Sequence, residues 1–174
     1  MWALPWQSGW DKGELDVAVI AGPASRSALT SVPLAHARFA WCAGPGVTRG
    51  LRLMDADAMQ SQPLVTLPQG SGVTHLIDDW LRQAYARPAR RLVCNHWGAI
   101  VGLLAQGCGI GLLPEGWAQA LHARDVLQVL PSPVPLGSLG YALHSRRDDL
   151  RPLVSMLHGL AAQHADFTVA SGAF

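Results

Sequence analysis

The middle of the 174-residue chain alternates between short apolar runs and longer stretches in which apolar residues recur every three or four positions. The short runs predict strands, and the longer stretches predict helices. The predicted strands are residues 63–67, 91–94 and 109–114, and the predicted helices are residues 73–85 and 97–104. Pro88 ends the first helix, and Gly107 caps the second. Because short connections join strand, helix and strand, the right-handed crossover rule makes the three strands parallel in one sheet.

Further apolar segments flank this βαβαβ pattern on both sides. Residues 15–21, 38–43 and 139–143 are predicted strands. Residues 150–161 carry apolar side chains at helical spacing and predict an amphipathic helix, with Asp148 and Asp149 as candidate N-caps. The proline-rich stretch between residues 130 and 140 predicts an extended connection. The pattern as a whole therefore predicts an α/β fold.

The charge content limits the partners that the chain can bind. Charged residues make up 14% of the sequence, against about 25% in ordinary soluble domains, and hydrophobic residues make up 49%. This composition excludes a disordered chain. Thirteen basic and twelve acidic side chains leave a net charge of +1, so the chain has no general attraction to phosphate backbones or anionic lipid. We therefore predict no direct DNA binding by this chain and no membrane partner.

The sequence also carries information about the compartment. No apolar run reaches the roughly 18 residues that span a bilayer, and the N-terminus has no secretory signal pattern. Cys42, Cys94 and Cys108 are odd in number and lack close ligand spacing, which argues against a disulfide framework and against structural zinc. A reducing, cytoplasmic location is the prediction.

The sequence lacks the common catalytic and metal-binding motifs. It contains no G-x-S-x-G elbow, no H-E-x-x-H and no P-loop, and its two glutamates, Glu14 and Glu115, are far apart in sequence. The seven histidines show no i, i+4 pairing, so a metal site would need wholly non-local ligands. We therefore predict no enzymatic activity, no metal and no cofactor.

Two loops of the predicted sheet are candidate ligand-binding sites. In open α/β sheets, ligands bind beyond the carboxyl ends of the strands, where loops lead into helix N-termini. The candidates in the first loop are Gln69, Gly70 and Ser71, and those in the second are Asn95 and His96. Glycine lets a ligand approach the backbone, and Ser71 can cap a helix or donate to an anion. Gly-Ser before a helix and Asn after a strand are also ordinary capping residues whether or not a ligand binds, so both interpretations stay open.

The order of short motifs along the chain resembles the effector-binding domain of LysR-type transcriptional regulators. Residues 13–20 are similar to the family's G-x-L-D-x-A-I strand, and Pro33-Leu34 followed by residues 38–42 resembles its hinge-crossing strand. The Pro63-Leu64-Val65 strand, Gly70-Ser71 and Asn95 follow in the family's order. Residues 107–114 are similar to G-x-G-I-x-x-L-P, which is the most specific of these motifs.

The resemblance implies a two-lobed, type 2 periplasmic-binding-protein-like fold that holds a small effector in the cleft between its lobes. Lobe I would contain residues 1 to about 45 plus 146–174, and lobe II would contain residues from about 46 to 145. The family's effector contacts would fall on Gln69, Gly70, Ser71, Asn95 and His96. The implied function is ligand sensing without chemistry.

The chain also departs from the family pattern. It shows neither the winged helix-turn-helix nor the linker helix, and the strand and helix that precede the G-x-L-D segment are missing as well, which predicts a truncated regulator with an incomplete first lobe. The family's homodimer normally uses that missing helix. Two alternatives remain at this point: a solute-binding protein of a transporter, and a small α/β enzyme using His96 or Ser71.

Overall fold

A computed structural model of the chain describes residues 9–10, 14–22 and 27–167, which divide into two compact units. The strands are β1 (Val17–Ala21), β2 (Leu29–Ala37), β3 (Phe39–Ala43), β4 (Leu64–Thr66), β5 (Arg91–Val93), β6 (Ile110–Pro114), β7 (Gln128–Leu130) and β8 (Leu139–Arg146). The helices are α1 (Pro45–Thr48), α2 (Ala56–Ser61), α3 (Gly72–Gln83), α4 (Trp97–Ala105), α5 (Glu115–His122) and α6 (Pro152–His164).

The first unit contains the described residues up to His36 together with Gly140–Asp166. Its three-stranded sheet has the order β1-β8-β2, and β1 pairs antiparallel with β8. The N-cap of α6 is Arg151, followed by Pro152 in the first turn, rather than Asp148 or Asp149. Proline suits that position because it has no N–H to leave unpaired. Asp149 instead accepts a hydrogen bond from the Arg151 N–H at 3.2 Å, just before the helix begins.

The second unit contains Ala37–Leu139, and its five-stranded sheet has the order β5-β4-β6-β3-β7. β4 is parallel to β5 and to β6, which confirms the three parallel strands predicted from the sequence. β3 runs antiparallel between β6 and β7. The chain changes units near residues 37 and 140, earlier than the predicted lobe boundaries at about 45 and 146, because β3 pairs with strands of the second unit.

Both faces of the five-stranded sheet are covered by helices. On one face, Val65 of β4 and Leu113 of β6 belong to a buried cluster with Ile100 and Leu104 of α4 and side chains of α5. On the other face, Trp41 of β3 meets Trp80 of α3 edge to face, with ring centroids 5.1 Å apart. The sheet is thus fixed between two helical layers, and its strand ends lead directly into the helices.

Glycines in and before β6 let this strand lie against β4. A Cβ atom on Gly111 would come within 2.7 Å of the Val65 carbonyl oxygen, and one on Gly109 would overlap the carbonyl oxygen of Pro63. Gly109 also has a φ of +153°, a conformation that other residues rarely adopt. Strand packing therefore explains Gly109 and Gly111, whereas Gly107, with a φ of +73°, follows the C-cap of α4.

Candidate functional site

The two candidate loops leave neighbouring parallel strands at the same edge of the sheet. Thr66 at the end of β4 is paired with Val93 at the end of β5. The next residue, Cys94, donates its N–H to the Thr66 carbonyl oxygen at 2.9 Å, so the two strands end side by side. Since parallel strands share a direction, the loops that follow them open at one edge. The structure thus brings Gln69, Gly70 and Ser71 to the same edge as Asn95 and His96, within one unit.

The first loop turns sharply into α3. Gly70 has a φ of +90°, which favours glycine, and both Gln69 and Gly70 are exposed. Ser71 is the N-cap of α3, and its Oγ accepts a hydrogen bond from the Thr74 N–H at 3.2 Å. Ser71 therefore has the capping role that the sequence left open beside ligand contact.

The second loop is capped by a histidine. His96 is the N-cap of α4, and its Nδ1 accepts a hydrogen bond from the Gly98 N–H at 3.0 Å. This contact requires Nδ1 to carry no proton, so the neutral imidazole bears its proton on Nε2. A Cβ atom on Gly98 would lie 3.0 Å from Nδ1, which shows why glycine suits the position. Asn95 and His96 are both exposed, and no motif in the sequence marks His96 as a helix cap.

The site draws its positive potential from the backbone. Residues 67–72 and 94–97 contain no lysine or arginine. The guanidinium of Arg91 on β5 is paired with Asp78 at 2.8 Å, and that of Arg38 with Glu115 at 2.8 Å. The α3 and α4 N-termini meanwhile open at the same edge, with unpaired N–H groups and the positive ends of their dipoles. This arrangement favours a small anion or a polar oxygen over a highly charged ligand.

Two features at this edge were missed in the sequence. Trp97 at the start of α4 and Trp117 in α5 form an edge-to-face pair with ring centroids 5.9 Å apart. Thr66 is buried, and its hydroxyl oxygen has no hydrogen-bond partner. A threonine within the otherwise apolar run 64–67 was the only available signal for the second feature.

Metal-binding clusters and membrane-spanning helices are both absent from the part of the chain that the structure describes. Within the described ranges, no cluster of three or more histidine, cysteine, aspartate or glutamate side chains could hold a metal ion. Across the same ranges, no helix combines the length and apolar character needed to cross a membrane.

The solved structures that resemble this chain share its fold, that of a periplasmic-binding-protein-like α/β domain. The regulatory domain of MetR from N. meningitidis superposes with a TM-score of 0.73 and 14% identity, covering 99% of this chain and 80% of that one. The regulatory domain of CcmR from Synechocystis PCC6803, in complex with 2-PG, superposes with a TM-score of 0.72 and 16% identity, covering 91% of this chain and 77% of that one. The effector-binding domain of QuiR, in complex with shikimate, superposes with a TM-score of 0.71 and 17% identity, covering 90% of this chain and 74% of that one.

The chain belongs to the LysR substrate-binding domain family, whose model matches residues 8–166. It is similar to a probable hydrogen peroxide-inducible genes activator of Mycobacterium avium, with 28% identity over 164 residues. That match covers 88% of this chain and 52% of the relative, so the chain spans about half of the relative's length. The match and the shared fold together identify the chain as a LysR substrate-binding domain.

Proposed function

We propose that this domain senses a small organic acid bound at the sheet edge where β4 and β5 end. One observation carries the proposal: α3 and α4 both begin at this edge, directly after the neighbouring parallel strands β4 and β5. Gln69, Gly70, Ser71, Asn95 and His96 are the proposed effector contacts. Ligand binding would act by favouring one conformation of the regulator over another, in proportion to its differential affinity for the two.

A carboxylate fits the hydrogen-bonding capacity of the two helix ends. Each α-helix begins with several N–H groups that have no partner inside the helix. Ser71 satisfies the N–H of Thr74, and His96 satisfies that of Gly98, which leaves other first-turn N–H groups for a ligand oxygen. The effector-binding domain of the fold relative QuiR is in complex with shikimate, a carboxylic acid, which supports this ligand class.

We propose binding without catalysis. Glu115 follows β6, which is parallel to β4, and its carboxylate is paired with Arg38 at 2.8 Å. A nucleophile or general base needs a converging partner within hydrogen-bond reach, and His96 uses Nδ1 to cap α4. The family's regulatory role is consistent with this proposal.

Calorimetric titration with shikimate, benzoate, succinate and glycerate tests the proposed site. We expect at least one of these acids to bind the wild-type chain, and S71A and N95A each to weaken that binding by about fivefold to tenfold, the loss of one hydrogen bond. Binding that both variants leave at the wild-type level would contradict the assignment.

The control separates loss of a helix cap from loss of a ligand contact. Asp55 caps α2, where its Oδ1 accepts a hydrogen bond from the Ala58 N–H at 2.9 Å, and α2 precedes the opposite end of β4. D55A and S71A should each lose about 1 kcal/mol of stability, as measured by urea unfolding. Only S71A should lose affinity. Equal losses of affinity in both variants would indicate a general stability effect.

We propose that the chain forms a homodimer in which a second copy docks on α6. This helix contains no Asp, Glu, Lys or Arg and exposes large apolar side chains.

We propose no DNA contact for this chain, because its net charge is only +1. A cytoplasmic location is supported by Cys42, Cys94 and Cys108, which are all free thiols.

A further inference from the structure

Thr66, the last residue of β4, has a buried hydroxyl with no hydrogen-bond partner. The residue is 3% exposed, and its Oγ1 is among the buried side-chain atoms that lack a partner. Its strand neighbours Leu64 and Val65 are completely buried and apolar. Most buried hydroxyls in native proteins are hydrogen-bonded, so an unpaired one calls for an explanation.

The side chain of Thr66 lies on the face of the sheet that α3 covers. Val65 packs against the α4 and α5 side, and successive side chains of a strand alternate between faces. Thr66 therefore shares the face that carries Trp41 and its α3 partner Trp80. The loop that joins Thr66 to α3 is the first candidate loop.

A second threonine nearby provides a direct comparison. Thr74, in the first turn of α3, is 2% exposed and thus buried to the same degree as Thr66. Its hydroxyl donates to the Ser71 carbonyl oxygen at 2.8 Å. One buried threonine at this end of the sheet therefore has a structural hydrogen bond, while the other has none.

We propose that Thr66 is a further effector-binding residue whose hydroxyl donates to an oxygen of the bound organic acid. The inference rests on the proposed function, because it places the same ligand at the same strand end. The hydroxyl is covered in this structure, so the ligand reaches it when the turn at residues 68–72 shifts. That turn contains Gly70 and Gly72, and Gly70 is in the left-handed region.

The isosteric variant T66V separates a ligand contact from a structural role. Valine has the shape of threonine without the hydroxyl, so T66V should keep or raise the melting temperature of the chain without added acid. Its affinity for the tightest binder among shikimate, benzoate, succinate and glycerate should fall about fivefold, the effect of one hydrogen bond. T66S keeps the hydroxyl, so its affinity for the same acid should be within about twofold of the wild-type affinity.

T74V is the matched control, because it removes a paired hydroxyl of equal burial and should lower the melting temperature. A comparable fall in T66V would show that Thr66 has a structural partner, such as a buried water, and would overturn the inference. Wild-type affinity in T66V, with S71A and N95A weakened, would overturn the role of Thr66 and leave the proposed function standing. If no acid binds the wild-type chain, both fail.

Discussion

Cys42 illustrates how burial decides the chemistry of a single residue. It lies in β3, fully buried in the cluster that contains Val65 and Leu113. Desolvation raises the pKa of its thiol from an ordinary 9.0 to about 12. Because the thiolate is the form that reacts with alkylating agents and peroxide, Cys42 is inert at neutral pH. Cys42 is therefore not a site for reaction with peroxide in the folded chain.

Alkylation with iodoacetamide at neutral pH tests whether Cys42 is less reactive than the other two cysteines. We expect Cys94 and Cys108, which are partly exposed, to be modified well before Cys42, as measured by mass spectrometry of peptides. In denaturant, all three should react at similar rates. Modification of Cys42 in the folded chain as fast as the other two would contradict its burial.

The same pKa shift predicts how stability responds to alkaline pH. The folded state keeps the Cys42 proton that the unfolded chain loses above pH 9.0, so the free energy of unfolding should decrease as pH rises from there towards about 12. C42A removes this contribution and should show a shallower alkaline decline in urea midpoints.

At the scale of elements, the sheet β1-β8-β2 contains a histidine in place of an apolar side chain. His144 of β8 is 2% exposed and lies opposite Ala18 of β1. Its Nδ1 is 3.0 Å from the Ser31 Oγ of β2, so its side chain joins the central strand β8 to β2. Burial lowers the pKa of His144, because the surroundings favour the neutral imidazole.

This burial predicts a loss of stability in acid. The unfolded chain takes up a proton at His144 as pH falls below about 6.5, before the folded chain does, so acid favours unfolding. H144Q should reduce the difference between urea midpoints at about pH 8 and about pH 5. The control is H75Q, at an exposed position on α3, which should keep the wild-type difference. An unchanged difference in H144Q would contradict the prediction.

At the scale of the whole molecule, α6 presents an apolar surface that suits self-association. Leu153, Met156 and Leu160 are 57%, 54% and 45% exposed, at spacings that place them along one side of the helix. Two copies related by a two-fold axis would bury these side chains against one another without opposing charges.

Sedimentation velocity over a range of concentrations tests the proposed dimer. We expect the wild-type chain to sediment as a dimer at high micromolar concentration, and the double variant L153E/L160E to be monomeric because of like-charge repulsion. L53E, at an exposed leucine of the second unit, is the matched control and should still dimerise. A monomeric wild type would refute the proposal.

The local pattern of the sequence was sufficient to predict β4, β5 and β6 as parallel strands and α3 and α4 as their helices. It also identified the two loops, because strand alternation, helical spacing and turn residues are encoded within a few consecutive positions. Ser71 was predicted as a possible N-cap for the same reason, and the structure confirms that role. The family was recognisable because its short motifs keep their order along the chain.

Only the tertiary structure decided the features that depend on distant residues. The antiparallel position of β3, the three-residue strand β7 and the short helix α2 are set by pairing and packing across the chain, which leave no periodic signal in so few residues. The histidine cap of α4 needed the geometry of Gly98. The unpaired hydroxyl of Thr66 could be found only there, because hydrogen bonding depends on which atoms surround a side chain rather than on its neighbours in sequence.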